Sequence, residues 1–186
     1  VTAAMERGAR GIGIDMDPMR IAEAMELAGN SMVEHMTDFF EADLMEVDFS
    51  DATVITLYLL DMVNLELRPR LLEELKPGTR IISHAFDMAD WKPDQHVRLG
   101  SVNLFKWIVP AQVAGDWHWS TNNGEQFRVS LKQKFQQLGG TAWCDDQPAK
   151  LKHANLHGDL LELDIISADG TTNNFILRWN KQQQLV

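Results

Sequence analysis

Cysteine is almost absent. Cys144 stands alone among 186 residues, so no internal disulfide can form and a cysteine-rich metal centre is excluded. A lone thiol fits a reducing, cytoplasmic setting. Long apolar runs are also missing: none approaches the roughly 18 residues that cross a bilayer, and the amino terminus has no charged-then-apolar signal pattern. Positive charge is scarce as well, with 17 basic against 27 acidic side chains and a formal net charge of −10. That balance opposes nonspecific binding to nucleic acid or an anionic membrane, so neither is expected as a partner, and a cationic partner is easier to accommodate. The six histidines do not gather at ligand spacing. His153 and His157 are four apart without a helical acid beside them, so no metal is expected.

What is present is organised around Arg10 to Asp17, RGIGIDMD. Ile12 and Ile14 alternate with Gly11 and Gly13, and Pro18 then opens a helical period, so the run reads as a buried strand passing through an acidic turn into a helix. Asp17 is placed to cap that helix and Pro18 to occupy its first turn; Ile21, Met25 and Ala28 share one face, and Gly29 and Asn30 end it. A short strand is expected over Phe39–Leu44. A fully covered strand is expected over Thr53–Leu60, a helix over Asn64–Leu75, a type II turn at Pro77-Gly78, and a buried strand over Arg80–Phe86. Strands alternating with helices imply a parallel α/β sheet.

Beyond Asp87 short alternating segments follow, at Asn103–Val109, Gln112–Trp119, Gln126–Phe135, Thr141–Cys144, Asp159–Ile166 and Asn173–Trp179. Turn signals separate them at Asn122-Asn123-Gly124, Gly139-Gly140, His157-Gly158 and Asp169-Gly170, which predicts an antiparallel meander. Two regions result: an α/β region over residues 1–100 and a β-rich extension over 101–186. Trp117 and Trp119 alternate in one segment and are expected to pack at its core or rim.

The ordered set ERGARGIGIDMDPMRIAEA, EADLMEVDFSDATVITLYLL and LKPGTRIISHAFDMADW resembles a class I S-adenosylmethionine-dependent methyltransferase from its second strand onward. The resemblance implies a Rossmann-like sheet and S-adenosyl-L-methionine as cofactor. It also implies a first strand and a D-x-G-x-G-x-G loop, which are expected ahead of Val1 and are not in the chain. Without them the chain is expected to present open strand edges, to self-associate and to hold the cofactor poorly.

On the resemblance, Asp15 is the ribose ligand, since a carboxylate has only acceptor lone pairs and a ribose offers two adjacent hydroxyl donors. Met16 is implied against the adenine face. Asp43 is implied on the adenine amino group, with the backbone of Leu44 at a ring nitrogen. Tyr58 is expected either to face the cofactor's methionine end or to pack as a core aromatic. TLYLLD departs from the Asn/Asp-Pro-Pro-aromatic motif of members that methylate bases or amide nitrogens. MVNLELRPRLLEELKPGTRIIS is similar to the Dot1-like lysine methyltransferase branch, which makes Asn64 either a substrate-side residue or a helix cap. His84 is a candidate base at a strand end or a structural histidine. The acceptor, protein lysine or a small molecule, stays open, and the competing reading is a non-catalytic binding or scaffold protein on the same sheet.

Overall fold

In the computed structural model, which describes residues 1–180, 184 and 185, the Asp17 carboxylate accepts the Met19 amide at 2.9 Å and starts helix α2, Pro18–Asn30. Proline at the first helical position needs no N–H partner, so the two residues set the start together. Before it lie the short helix α1, Thr2–Arg7, and strand β1, Gly11–Asp15. A single 3-10 turn at Glu34–Met36 leads into β2, Thr37–Glu41, which pairs with β1 in parallel from Gly11↔Thr37 to Asp15↔Glu41. Ala4, Ala28 and Val33 form a small core here with Val1, Met36 and Phe39. These elements make one unit, Val1–Phe49; the second is Ser50–Val186.

Three expectations for the first unit change. Ile12 is 57% exposed, so β1 is not a buried strand; its only strand partner among the described residues is β2. Met25 is also exposed, which leaves Ile21 and Ala28 as the buried residues of α2. Finally, β2 starts and ends earlier than Phe39–Leu44, because Asp43 turns the chain by accepting the Met45 amide at 2.8 Å.

The second unit opens with β3, Val54–Leu57, then α3, Asp61–Glu74, β4, Arg80–His84, β5, Gln95–Leu99, and β6, Val102–Ile108. Their order is β3-β4-β6-β5, with β3 and β4 parallel and the β5–β6 hairpin antiparallel beside β4. Only four residues of the expected Thr53–Leu60 strand are extended, and Val54 is exposed on this outer strand. The remainder is claimed by the helix, for which Leu60 is the N-cap, so Asn64 lies inside α3 rather than capping it. Leu67, Leu71 and Leu75 are buried as expected, and Gly78 takes φ +90° in the turn before β4. Only glycine holds that angle without steric cost. The strand β5 escapes a periodicity reading because all five of its residues are exposed.

Six antiparallel strands complete the unit: β7, Gly115–Ser120, β8, Gln126–Lys134, β9, Gln137–Cys144, β10, Gln147–His157, β11, Leu160–Ile166, and β12, Thr172–Arg178, each paired with its neighbour in sequence. Their inward residues, including Phe127, Val129, Leu131, Ala142, Leu156, Leu161, Leu163 and Ile165, form one core. The sheet rolls so that its two end strands meet through aromatic side chains. Trp117 lies edge-on to Trp179 at 5.8 Å, and Trp119 to Phe175 at 4.9 Å. Gly139-Gly140 is not a turn but lies within β9, where a β-carbon on Gly140 would stand 2.0 Å from the Ser130 carbonyl oxygen. The glycine is there because the neighbouring backbone comes too close for a side chain.

The β8–β9 turn grips the loop after β4. Trp91 is fully buried, stacks on Phe135 at 5.8 Å and donates from Nε1 to Gln136 Oε1 at 3.0 Å, while Gln136 Nε2 donates to the Lys92 carbonyl. Asp90 accepts from Arg68 at 2.6 Å and pairs with Lys134 at 3.0 Å. Lys134 first and Arg68 second hold its carboxyl below the usual aspartate range. A depressed folded-state value means that this contribution is present above the unfolded value near 3.9 and is lost as pH falls through the folded one.

Candidate functional site

The carboxyl ends of β1 and β2 bring two acidic residues to adjacent loops. Asp15 ends β1, and its Oδ1 accepts the Asp17 amide at 2.9 Å, which folds the acidic turn against the start of α2. Its carbonyl accepts the Ala42 amide at 3.1 Å, tying the end of β2 to the same place. One residue later Asp43 uses its own Oδ1 on the Met45 amide, and its carbonyl accepts the Glu46 amide. Each carboxylate therefore spends one oxygen shaping its loop. The other oxygen of each has no protein partner among the described residues. The donor set fits a nucleoside: two acceptor-only groups at the ends of neighbouring parallel strands can take a ribose diol and an exocyclic amine.

Met16 stands between the aspartates, 69% exposed, and Leu44 is half-buried in the turn after Asp43. Glu23 above all, then Asp17 and Asp15, raise the Arg20 guanidinium above its ordinary value, which marks this end of the unit as a negative surface. Asp15, Met16, Asp43 and Leu44 all belong to Val1–Phe49, whereas Tyr58 belongs to Ser50–Val186.

Tyr58 follows the last residue of β3 and is 81% exposed, so it is not a core aromatic. Its ring lies 4.5 Å from that of His84, the last residue of the adjacent parallel strand β4. Asn64 is fully buried and donates from Nδ2 to Ser83 Oγ at 3.0 Å and to the Phe86 carbonyl at 3.4 Å. A side chain with no exposed area cannot meet a substrate directly, so its substrate-side placement does not hold. Neither Ser83 nor Ala85 stood out in sequence. A hydroxyl in an apolar strand was the available signal for the first; the positive φ of Ala85 has no sequence signature in an alanine. Among the described residues no three His, Cys, Asp or Glu side chains group as metal ligands, and no helix is long and apolar enough to cross a membrane.

Known proteins share this sequence and geometry. The ANTKMT methyltransferase domain matches residues 1–95. A protein-lysine N-methyltransferase of Saccharolobus islandicus is 35% identical over 105 residues, covering 56% of this chain and 65% of that protein. An ATP synthase lysine N-methyltransferase of Homo sapiens is 27% identical over 136 residues, covering 73% of this chain and 54% of that protein. The crystal structure of an RNA methyltransferase from Salinibacter ruber in complex with S-adenosyl-L-homocysteine has a TM-score of 0.58 and 45% identity, and the match covers 60% of this chain and 72% of that one. The chain thus spans between about half and two thirds of the length of these two curated relatives.

Proposed function

The chain belongs to the ANTKMT methyltransferase domain family, and from that premise we propose that it serves S-adenosylmethionine-dependent methyl transfer to the ε-amine of a protein lysine. The observation that carries this reading is the pair of half-open carboxylates, Asp15 and Asp43, at the ends of adjacent parallel strands. In this reading the sheet is the Rossmann-like methyltransferase sheet, with the antiparallel strands as its carboxyl-terminal extension. Asp15 takes the ribose hydroxyls and Asp43 the adenine amino group. Met16 lies against the ring, the Leu44 backbone meets a ring nitrogen, and Tyr58 faces the methionine end.

S-adenosyl-L-methionine, when bound, supplies a methyl group on a sulfonium that is already a good leaving group. The chain's own task is alignment and exclusion of water, which needs no strong acid or base. Lysine is favoured as acceptor by the activities for which the two curated relatives are named and by the departure of TLYLLD from the base-methylating motif. The Salinibacter ruber protein makes RNA the acceptor to test against it.

A lysine acceptor has a pH signature. With an ordinary lysine pKa near 10.4, the neutral amine fraction rises about tenfold per pH unit between pH 7 and 9, and transfer to a lysine peptide should rise with it. Tritiated methyl transfer by the full-length protein to an array of synthetic lysine peptides, run beside total RNA, measures this. Label on RNA but not on lysine, or a flat profile on peptides, contradicts the lysine reading. For the nucleoside grip, Asp43→Asn keeps the shape but turns a donor toward the adenine amine, so affinity should fall while Tm stays nearly fixed. Equal losses of affinity and Tm would make Asp43 a turn residue only.

A further inference from the structure

Strand β4 ends in a backbone conformation that its residue does not favour. The Phe86 amide donates to the His84 carbonyl at 2.9 Å, closing a three-residue γ-turn on Ala85, whose φ is +71°. With a β-carbon present, a γ-turn at positive φ is rare and strained, and such strain persists only where the surroundings impose it. Here the surroundings are visible. The Ala85 amide is held by the Asn103 carbonyl at 2.8 Å, and Asn64 grips both sides of the turn at once, Ser83 Oγ before it and the Phe86 carbonyl after it.

Asn64 does this at a cost. It and Ser83 have no exposed area, and its Oδ1 finds no partner among the described residues. Packing alone would put leucine at such a place in α3, because an unpartnered buried acceptor is destabilising. What the arrangement secures is the placement of three rings at the carboxyl ends of β3 and β4: exposed Tyr58 against half-buried His84, and Phe86, which remains 37% exposed. Aromatic faces of this kind suit the long apolar stem of a lysine.

We infer that Asn64 is a positioning residue for the acceptor: it holds the γ-turn at Ala85 and so fixes His84 and Phe86 where the lysine side chain is received. The inference rests on the lysine reading given above. It makes a distinctive demand, because glycine adopts positive φ without the penalty. Ala85→Gly should therefore let the turn stand without Asn64.

The test uses the full-length protein with Asn64→Ala, Ala85→Gly and the double variant. Three quantities are read: amide hydrogen exchange at Phe86, calorimetric affinity for S-adenosylmethionine, and kcat and KM on a lysine peptide found by the array. Asn64→Ala is expected to speed exchange at Phe86 by about tenfold or more and to raise the acceptor KM by about tenfold. Cofactor affinity should stay within about twofold, since the bonds of Asn64 run to Ser83 and Phe86 and not to the nucleoside carboxylates. Adding Ala85→Gly should restore most of both losses. Ser83→Ala, which removes one partner of Asn64 without emptying the Asn64 position, should act in the same direction and serves if Asn64→Ala does not fold. Unchanged exchange at Phe86, faster exchange with an unchanged KM, or no rescue by glycine would each overturn the inference. A wild-type protein that methylates no lysine peptide overturns the lysine reading and this inference with it, and is told apart because the exchange arm needs no acceptor.

Discussion

Replacing Trp91 with alanine is expected to destabilise the Ser50–Val186 unit by about 3–5 kcal/mol, the range for emptying a buried indole. Trp91 has no exposed area, lies between Trp107 at 5.9 Å and Phe135 at 5.8 Å, and bonds Gln136, whose amide would lose that partner. At roughly 2–4 °C per kcal/mol for a chain of this size, the thermal midpoint should fall by about 6–20 °C. Trp91→Phe separates packing from hydrogen bonding. It keeps most of the volume and loses the bond to Gln136, so it should cost only about 1–2 kcal/mol. Thermal unfolding followed by circular dichroism reads both variants. Equal, small losses would mean that the loop after β4 is not secured by this side chain.

Asp15→Ala should weaken binding of S-adenosyl-L-methionine by about 1.5–3 kcal/mol, the range for hydrogen bonds to a charged group, or roughly 10- to 150-fold in Kd. Stability should change much less. Among the described residues the only bond that Asp15 Oδ1 makes is to the Asp17 amide in an exposed turn, and Asp17 caps α2 through its own carboxylate. Calorimetric titration of both proteins measures the difference. An unchanged Kd would remove Asp15 from the site.

Local chemistry explains how much of this could be read in advance. Asp17, Pro18 and the Pro77-Gly78 turn act within a few residues, so α2 and the turn before β4 are where sequence places them. The position of Asp15 follows from the same local rules. Strand β10 stayed hidden for a physical reason: it carries a bulge between Leu151 and His153. The bulge shifts the inward set from Ala149 and Leu151 to Ala154 and Leu156, and the extra residue breaks the period of two on which a strand reading depends. Gly140 misled because a glycine demanded by a neighbouring backbone looks the same in sequence as one demanded by a turn. The burial of Asn64 was beyond reach for another reason. Its partners, Ser83 and Phe86, are 19 and 22 residues away, and only the folded pairing of α3 with the end of β4 brings them together.

The nucleoside grip depends most on a carboxylate at the end of β1 that meets the ribose of a bound ligand. The direct measurement is a coupling cycle: the affinities of wild-type and Asp15→Ala protein for S-adenosyl-L-homocysteine and for its analogue lacking both ribose hydroxyls. If Asp15 holds those hydroxyls, the analogue should bind the wild type about tenfold or more weakly than the parent ligand and bind the variant almost as well as the parent does. The same loss in both proteins, with no coupling between carboxylate and hydroxyls, would contradict it.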